Sequence, residues 1–205
     1  MRRQNVILIL LALCLLVVPV GAWQEDFQSG TAYGWTYAVK YSSSYVSVVQ
    51  SPYPDTYSMV LTAAPGEGGA WVRAYANPNQ AFNYVAFTSD PSIATPMWQY
   101  VIRFTVLSES GQSVGTLDYF PGGNPCRVEL IRTGDTIGLY VDGQFKKSTT
   151  STGQPYNIYL ELWSAATYTV SQRIDDVVIG GSEPNILGII PEDWYVLKHP
   201  TDPTM

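Results

Sequence analysis

The sequence contains only two cysteines, Cys14 and Cys126, and a single histidine, His199. Cys14 falls in an N-terminal segment that we expect to be removed, so the mature chain cannot form an intramolecular disulfide. We expect Cys126, which lies in an apolar strand pattern, to be a buried thiol. Zinc needs three or four histidine, cysteine or acidic ligands, and a catalytic serine triad needs a rigidly held histidine. His199 lies in a patternless C-terminal tail, which argues against both kinds of site.

Basic residues are also few, since the chain has 11 Lys and Arg against 17 Asp and Glu. Two of the basic residues and none of the acidic ones lie within residues 1–22, so removal of that segment increases the acidic excess. Nucleic acids and anionic membrane surfaces bind proteins that carry a basic surface. We therefore expect no nucleic-acid partner. A second apolar run of membrane-spanning length is also missing, and we expect no membrane insertion of the mature chain.

The first 22 residues have the pattern of a secretory signal peptide. Arg2 and Arg3 precede an apolar run over residues 6–18, and Val20 and Ala22 suit cleavage after Ala22. As a helix the apolar run would span about 20 Å, less than the roughly 30 Å hydrocarbon core of a bilayer. We expect export by the general secretory route and a secreted or cell-surface location. The alternative is that the segment is retained as an N-terminal anchor.

The mature chain lacks any convincing 3.6-residue period and shows strand patterns instead. Residues 99–106 alternate between apolar and polar positions, which is typical of a half-buried strand. The other runs with strand patterns or strand-type composition are residues 35–41, 45–49, 58–62, 70–76, 126–130, 137–141, 157–163 and 173–179. We expect about ten to twelve strands in two packed antiparallel sheets, and hence an all-β fold.

Turn residues separate these runs at short intervals. Asp142-Gly143 gives the strongest signal, because both residues tolerate the positive φ of a type I′ hairpin. Glycine- and proline-rich turns are also expected at residues 65–69 and 121–125, with a further turn at 133–135. We expect three regions: a signal peptide at 1–22, a β-sandwich at 23–181, and a linker at 182–205. This last region also carries the possible start of a further, truncated segment.

Residues 127–143, of sequence RVELIRTGDTIGLYVDG, resemble a passage of concanavalin A-like, laminin-G-like jelly-roll domains. Residues 173–180 resemble the closing strand of that family, and residues 26–30 followed by Trp35 resemble its opening strand, which pairs beside the closing one. The resemblance implies two curved antiparallel sheets, here preceded by a signal-peptide helix. It also implies binding on the concave face or its rim loops. Members of the family bind glycans or proteins, and some are glycoside hydrolases.

A hydrolase of this kind would need paired carboxylates. Hydrolases with this fold commonly carry them as Glu-x-Asp-x-x-Glu on one strand, and no such string exists here. Glu161 lies in a strand pattern, but its same-face neighbours are Tyr159 and Trp163. Asp175 and Asp176 are adjacent, so in a regular strand they point to opposite faces. We therefore predict that the chain is not an enzyme.

No cofactor is predicted, although calcium is left open. Loop acids supply oxygen ligands to calcium, and the weak candidates are Asp142, Asp175 and Asp176, with Asp90, Asp118 and Asp135 as further acids. No calcium-loop spacing is present among them, so solvated turn acids are the simpler interpretation.

Three aromatic residues lie opposite the apolar positions of their strands: Tyr140, Tyr159 and Trp163. We expect them to face outward on one sheet, with Glu161 between two of them. Such a surface would suit a sugar that stacks on the rings while polar groups bind its hydroxyls. The alternative is that these rings simply pack under loops. The sequence thus predicts a carbohydrate-binding module, or alternatively a structural or adhesive cell-envelope domain that binds protein.

Overall fold

The computed structural model describes residues 22–32, 34–40, 42–50, 57–65, 69–90, 100–120, 124–165 and 168–181. The predicted signal-peptide helix, the region 182–205, residues 66–68 of one predicted turn and residues 121–123 of another lie outside these ranges. Within them the chain contains no helix, and 66% of the residues are in strands. The described part of the chain therefore contains no helix that is long and apolar enough to cross a membrane.

The described residues form thirteen strands. Their bounds are β1 (Trp23–Glu25), β2 (Trp35–Val39), β3 (Tyr45–Gln50), β4 (Tyr57–Ala63), β5 (Ala70–Ala76), β6 (Tyr84–Asp90), β7 (Tyr100–Leu107), β8 (Ser113–Tyr119), β9 (Cys126–Thr133), β10 (Thr136–Val141), β11 (Gln144–Thr150), β12 (Asn157–Ser164) and β13 (Val170–Gly180).

The strands pair antiparallel in two sheets. The eight-stranded sheet has the order β11-β10-β9-β6-β13-β4-β3, with β1 pairing to β13 beside this path. The five-stranded sheet has the order β2-β5-β12-β7-β8. Strands adjacent in sequence thus often lie in different sheets, and the order in each sheet is that of a sandwich with crossing connections.

The core lies between the sheets and is built from the inward-facing positions of each strand. Phe87 of the eight-stranded sheet and Phe104 of the five-stranded sheet are fully buried, and their ring centroids are 5.6 Å apart. Leu160 in β12 is also buried, as expected from its alternation. Cys126 is a buried cysteine of this core and forms no disulfide in the described part of the chain, which confirms the prediction.

The strand predictions were largely confirmed, with two corrections. The opening strand is Trp23–Glu25 rather than residues 26–30, and it pairs with Val177–Ile179 of the closing strand as the resemblance implied. Strands β6, β8 and β11 were not predicted. β6 is buried on both faces and so lacks alternation, whereas β8 and β11 carry many polar residues.

The hairpin between β10 and β11 turns at Asp142-Gly143 as predicted, with φ values of 52° and 73°. A side chain on Gly143 would contact nothing within 4 Å, so only the backbone conformation favours glycine there. We expect Gly143→Ala to lower the free energy of unfolding by about 1–2 kcal/mol, because a left-handed conformation penalises a Cβ atom. Urea denaturation would measure this change.

Gly181 provides the matched control for this substitution. It also has open space around its Cα atom, but its φ lies outside the left-handed range. Gly181→Ala should change stability by less than about 0.5 kcal/mol. Equal effects of the two substitutions would contradict the role assigned to the turn.

Candidate functional site

Outward-facing side chains of β5, β12, β7 and β8 form a continuous surface on the five-stranded sheet. These strands are neighbours in that order, and alternate positions along each of them point away from the core. We call this surface the polar-aromatic face; its residues are Trp71, Arg73, Tyr75, Arg103, Asp118, Tyr159, Glu161 and Trp163.

Two aromatic pairs lie at the two ends of the polar-aromatic face. Tyr75 and Tyr159 are cross-strand partners whose ring centroids are 5.0 Å apart. Trp71 and Trp163 are cross-strand partners at the other end, and Trp163 is 36% exposed. The pairs are four residues apart along their strands, which corresponds to about 13 Å at the usual rise per residue. That separation leaves room for a polar row between them.

The polar row consists of four charged side chains that cross the four strands. Glu161 lies near its centre, where one carboxylate oxygen accepts a hydrogen bond from Nε of Arg73. The other oxygen lies 3.7 Å from Nη1 of Arg103. Arg103 also donates two hydrogen bonds to Asp118, from Nε at 2.7 Å and from Nη2 at 3.2 Å. The row is therefore a chain of ion pairs that links β5 to β8.

Arg73 joins the polar row to both aromatic pairs. Its guanidinium carbon lies 4.4 Å from the ring centroid of Trp71 and 5.1 Å from that of Tyr159. At these distances a cation is attracted to the face of an aromatic ring. Burial opposes its charge, but hydrogen bonds with Glu161 and Tyr75 outweigh that effect and raise the pKa of Arg73. The guanidinium group is thus held both by rings and by a carboxylate.

The two carboxylates of the row differ in exposure. Glu161 is 3% exposed and lies between two arginines, which compensate its charge in a position that water scarcely reaches. Asp118 is about one third exposed at its side chain. Its hydrogen bonds with Arg103 lower its pKa, and this outweighs the opposite effect of burial. A general acid in a glycosidase needs a raised pKa, so Asp118 is poorly suited to that role.

Gly69 shapes the tryptophan end of the face. Its φ of +84° favours glycine, and a Cβ atom there would lie 2.8 Å from Cζ2 of Trp163. The ring of Trp163 therefore packs directly against the backbone that precedes β5. Lys40 donates a hydrogen bond from Nζ to the Gly69 carbonyl at 2.7 Å, which places a further cation beside this end.

The structure brings together three of the four predicted glycan-binding residues. Tyr159, Glu161 and Trp163 share the outward side of β12, as the alternation indicated. The prediction that Tyr140 belongs to the same surface is wrong, because Tyr140 lies in β10 of the eight-stranded sheet. There its ring contacts Phe145 at 5.6 Å. Alternation reveals which side of a strand faces outward but not the sheet to which the strand belongs.

Sequence reasoning missed the neighbours of these three residues on adjacent strands. Residues 70–76 were predicted as a strand, and their outward positions read Trp71, Arg73, Tyr75. That alternation was a usable signal for an outward polar and aromatic stripe. The alignment of this stripe with β12 could be known only from the strand register. The same holds for the places of Arg103 and Asp118 beside it.

The predicted calcium candidates do not form a cluster. In the described part of the chain, no three histidine, cysteine or acidic side chains lie close enough together to hold a metal ion. Asp142 accepts a hydrogen bond from the backbone N–H of Arg127 at 2.9 Å, a contact that joins the β10–β11 turn to β9. Asp175 and Asp176 lie at a bulge in β13. The prediction of no cofactor, with calcium left open, stays a prediction.

A cavity of about 290 Å³ lies between β2 and β3, the edge strands of the two sheets. Trp35, Tyr37, Val46 and Ser47 are among its described lining residues, none of which is charged. It contains none of the predicted site residues and no part of the polar-aromatic face. With fewer polar groups to orient a ligand, it is the weaker candidate site.

No protein-family model matches the chain, and no curated protein matches it. Among solved structures, a Bacillus licheniformis β-glucanase matches with a TM-score of 0.52 and 15% identity over 79% of this chain and 99% of its own. A Bacteroides ovatus mixed linkage glucan GH16, in complex with its G4G4G3G product, matches with a TM-score of 0.56 and 12% identity, covering 77% of this chain and 99% of its own.

Two further structures have the same arrangement of strands. The cellulose induced protein Cip1 matches with a TM-score of 0.56 and 14% identity over 78% of this chain and 97% of its own. A sialidase matches with a TM-score of 0.57 and 14% identity over 79% of this chain, which spans only 18% of the sialidase. The described domain therefore has the concanavalin A-like jelly-roll fold. At these identities the likeness shows the fold alone.

The polar row leads to a further prediction about stability. Glu161→Gln keeps the size of the side chain but leaves one acceptor oxygen for two arginines. We expect a loss of about 1–3 kcal/mol in the free energy of unfolding, the usual cost of an unsatisfied buried polar group. Asp118→Asn is the comparison, with an expected loss below about 1 kcal/mol because that pair is partly solvated. Equal losses of stability in the two variants would contradict a larger energetic contribution of Glu161 than of Asp118.

Asp175 leads to a prediction about the dependence of stability on pH. Burial, together with the nearby charges of Asp176 and Asp26, raises the pKa of Asp175 to about 7. The folded state therefore binds a proton more tightly than the unfolded state, and stability should decline as pH rises from about 4 to about 7. Asp175→Asn should make this decline in the free energy of unfolding smaller by roughly 1–2 kcal/mol, once solvent screening is allowed for. Urea denaturation at pH 5 and pH 8 in EDTA would measure it; an unchanged decline would contradict the assignment.

Proposed function

We propose that this chain is a carbohydrate-binding module that holds a glycan on the polar-aromatic face without cleaving it. The observation that carries the proposal is the arrangement of that face, with aromatic pairs at both ends and hydrogen-bonding side chains between them. Sugar rings stack their C–H faces on aromatic side chains, while charged and polar groups bind their hydroxyls. A secreted or cell-surface location, as expected from the N-terminus, would suit this role.

The structures that share the fold support carbohydrate as the class of ligand. The Bacillus licheniformis protein is a β-glucanase, and the Bacteroides ovatus mixed linkage glucan GH16 is in complex with its G4G4G3G product. A shared fold does not decide between binding and cleavage, so the choice between them depends on the residues of this chain.

The carboxylates of the polar-aromatic face favour binding over hydrolysis. A retaining glycosidase needs two carboxylates about 5–5.5 Å apart. On the described strands of the five-stranded sheet, the outward-facing acids are Glu161 and Asp118, which are separated by β7. The guanidinium group of Arg103 lies between their carboxylates, where the scissile bond of a substrate would have to lie. Both carboxylates are also ion-paired with arginines, which leaves neither poised to donate a proton.

Replacement of the most exposed ring of the site tests the proposal. Trp163→Ala should weaken glycan binding about ten-fold or more, because a stacked ring contributes both buried area and specific contact. Binding of the purified protein to a glycan array, with and without calcium, would identify the ligand class. Titration calorimetry would then give the ratio of the dissociation constants of the variant and the parent protein. Assays for released reducing ends would detect cleavage.

Phe145→Ala is the matched control, since Phe145 is an aromatic residue that is 58% exposed on the eight-stranded sheet. It should leave glycan binding within about two-fold, while both variants keep the unfolding transition of the parent. If the folded protein binds no glycan, the proposal is wrong, and a structural or adhesive envelope domain that binds protein becomes the better hypothesis. Release of reducing ends would replace the binding module with a hydrolase.

A further inference from the structure

The polar-aromatic face presents more positive than negative charge to solvent, although the chain as a whole has a net charge of −6. Arg73 and Arg103 have side chains that are 32% and 42% exposed, whereas the side chain of Glu161 between them is 4% exposed. Lys40 adds a cation beside the tryptophan end. The carboxylate at the centre of the row thus lies beneath two guanidinium groups that remain accessible.

Asp118 balances the formal charge of the row through its pair with Arg103, but it lies away from the centre of the face. It lies in β8, at the edge of the sheet and at the far end of the row from Arg73. Its charge is compensated by Arg103 and by the nearby Lys147, both of which lower its pKa. The centre of the face, between the two aromatic pairs, is therefore dominated by guanidinium groups.

The two guanidinium groups are also fixed in orientation. Arg73 is packed against the rings of Trp71 and Tyr159, and Arg103 is held by two hydrogen bonds to Asp118. Each guanidinium carries five N–H donors, and the neighbouring carboxylates occupy only part of them. Pre-oriented donors of this kind bind planar and tetrahedral anions strongly, because little side-chain freedom is lost on binding.

We propose that the glycan recognised on this face is anionic. A sugar that bears carboxylate or sulfate oxygens lies at the polar row, with its neighbouring sugars stacked on the aromatic pairs. Arg73 and Arg103 bind the anionic group, and Glu161 acts as a positioning residue that holds both arginines. This inference rests on the proposed carbohydrate-binding function and specifies the class of glycan.

Matched polymers that differ only in charge provide the test. Polygalacturonate is compared with its highly methyl-esterified form, which lacks the carboxylate charge, and dextran sulfate is compared with dextran. We expect the protein to bind the charged member of at least one pair at least ten-fold more tightly. The preferred pair distinguishes carboxylate from sulfate. The affinity of the protein for the charged polymer of that pair should fall as sodium chloride is raised from 50 to 500 mM, because the ionic contacts are partly exposed.

Substitution of the arginines locates the charge preference on the molecule. Arg73→Gln and Arg103→Gln should each reduce the ratio of charged to neutral binding about ten-fold. Lys146→Gln removes one exposed cation from β11 of the eight-stranded sheet and should change the ratio less than about two-fold. Equal effects of all three substitutions would indicate general charge attraction and overturn the inference.

The polymer comparison needs no variant, so it stays decisive if an arginine substitution prevents folding. Tighter or equal binding of the neutral polymers would overturn the anionic inference and leave the carbohydrate-binding function intact. Failure of the folded protein to bind any of the four polymers or any arrayed glycan would overturn both.

Discussion

Apolar contact between the two sheets is the interaction on which the rest of this structure depends. The described part of the chain contains no disulfide, so the sandwich is held by burial of side chains such as Phe87 and Phe104. Full burial of a large apolar side chain contributes about 1.5–3 kcal/mol. The inward positions of the central strands are mostly apolar, and the buried polar pair Gln172 and Ser89 is an exception. The charged side chains of the polar row lie at outward positions.

Strand β12 shows how the core and the candidate site are coupled. Its inward side chains, among them Leu160, are buried against the eight-stranded sheet, while Glu161 points to the other side. β12 is the central strand of its sheet, so an outward side chain there has neighbours on both flanks. A carboxylate in such a position is tolerated because Arg73 and Arg103 compensate its charge. In the proposed function, ligand binding and stability therefore depend on the same arginines.

Proteins with this jelly-roll fold differ in what their outward strand positions carry, and the fold alone does not set the chemistry. Here those positions give two ring pairs, at Trp71–Trp163 and Tyr75–Tyr159, around a row of ion pairs. Rings and oriented donors are suited to holding a sugar. Carboxylates already bound to arginines are poorly suited to transferring protons. The chemistry of such a sheet therefore depends on the residues at its outward positions.

The sequence by itself determined the all-β class, most of the strands, the hairpin at Asp142-Gly143 and the outward side of β12. These features depend on local backbone geometry and on the two-residue period of a strand, which neighbouring residues encode directly. Only the tertiary structure decided that Tyr140 belongs to the other sheet and that Arg73 meets Glu161, a residue 88 positions away. Sheet membership and register arise from pairing between distant strands, which the pattern within a single strand does not specify.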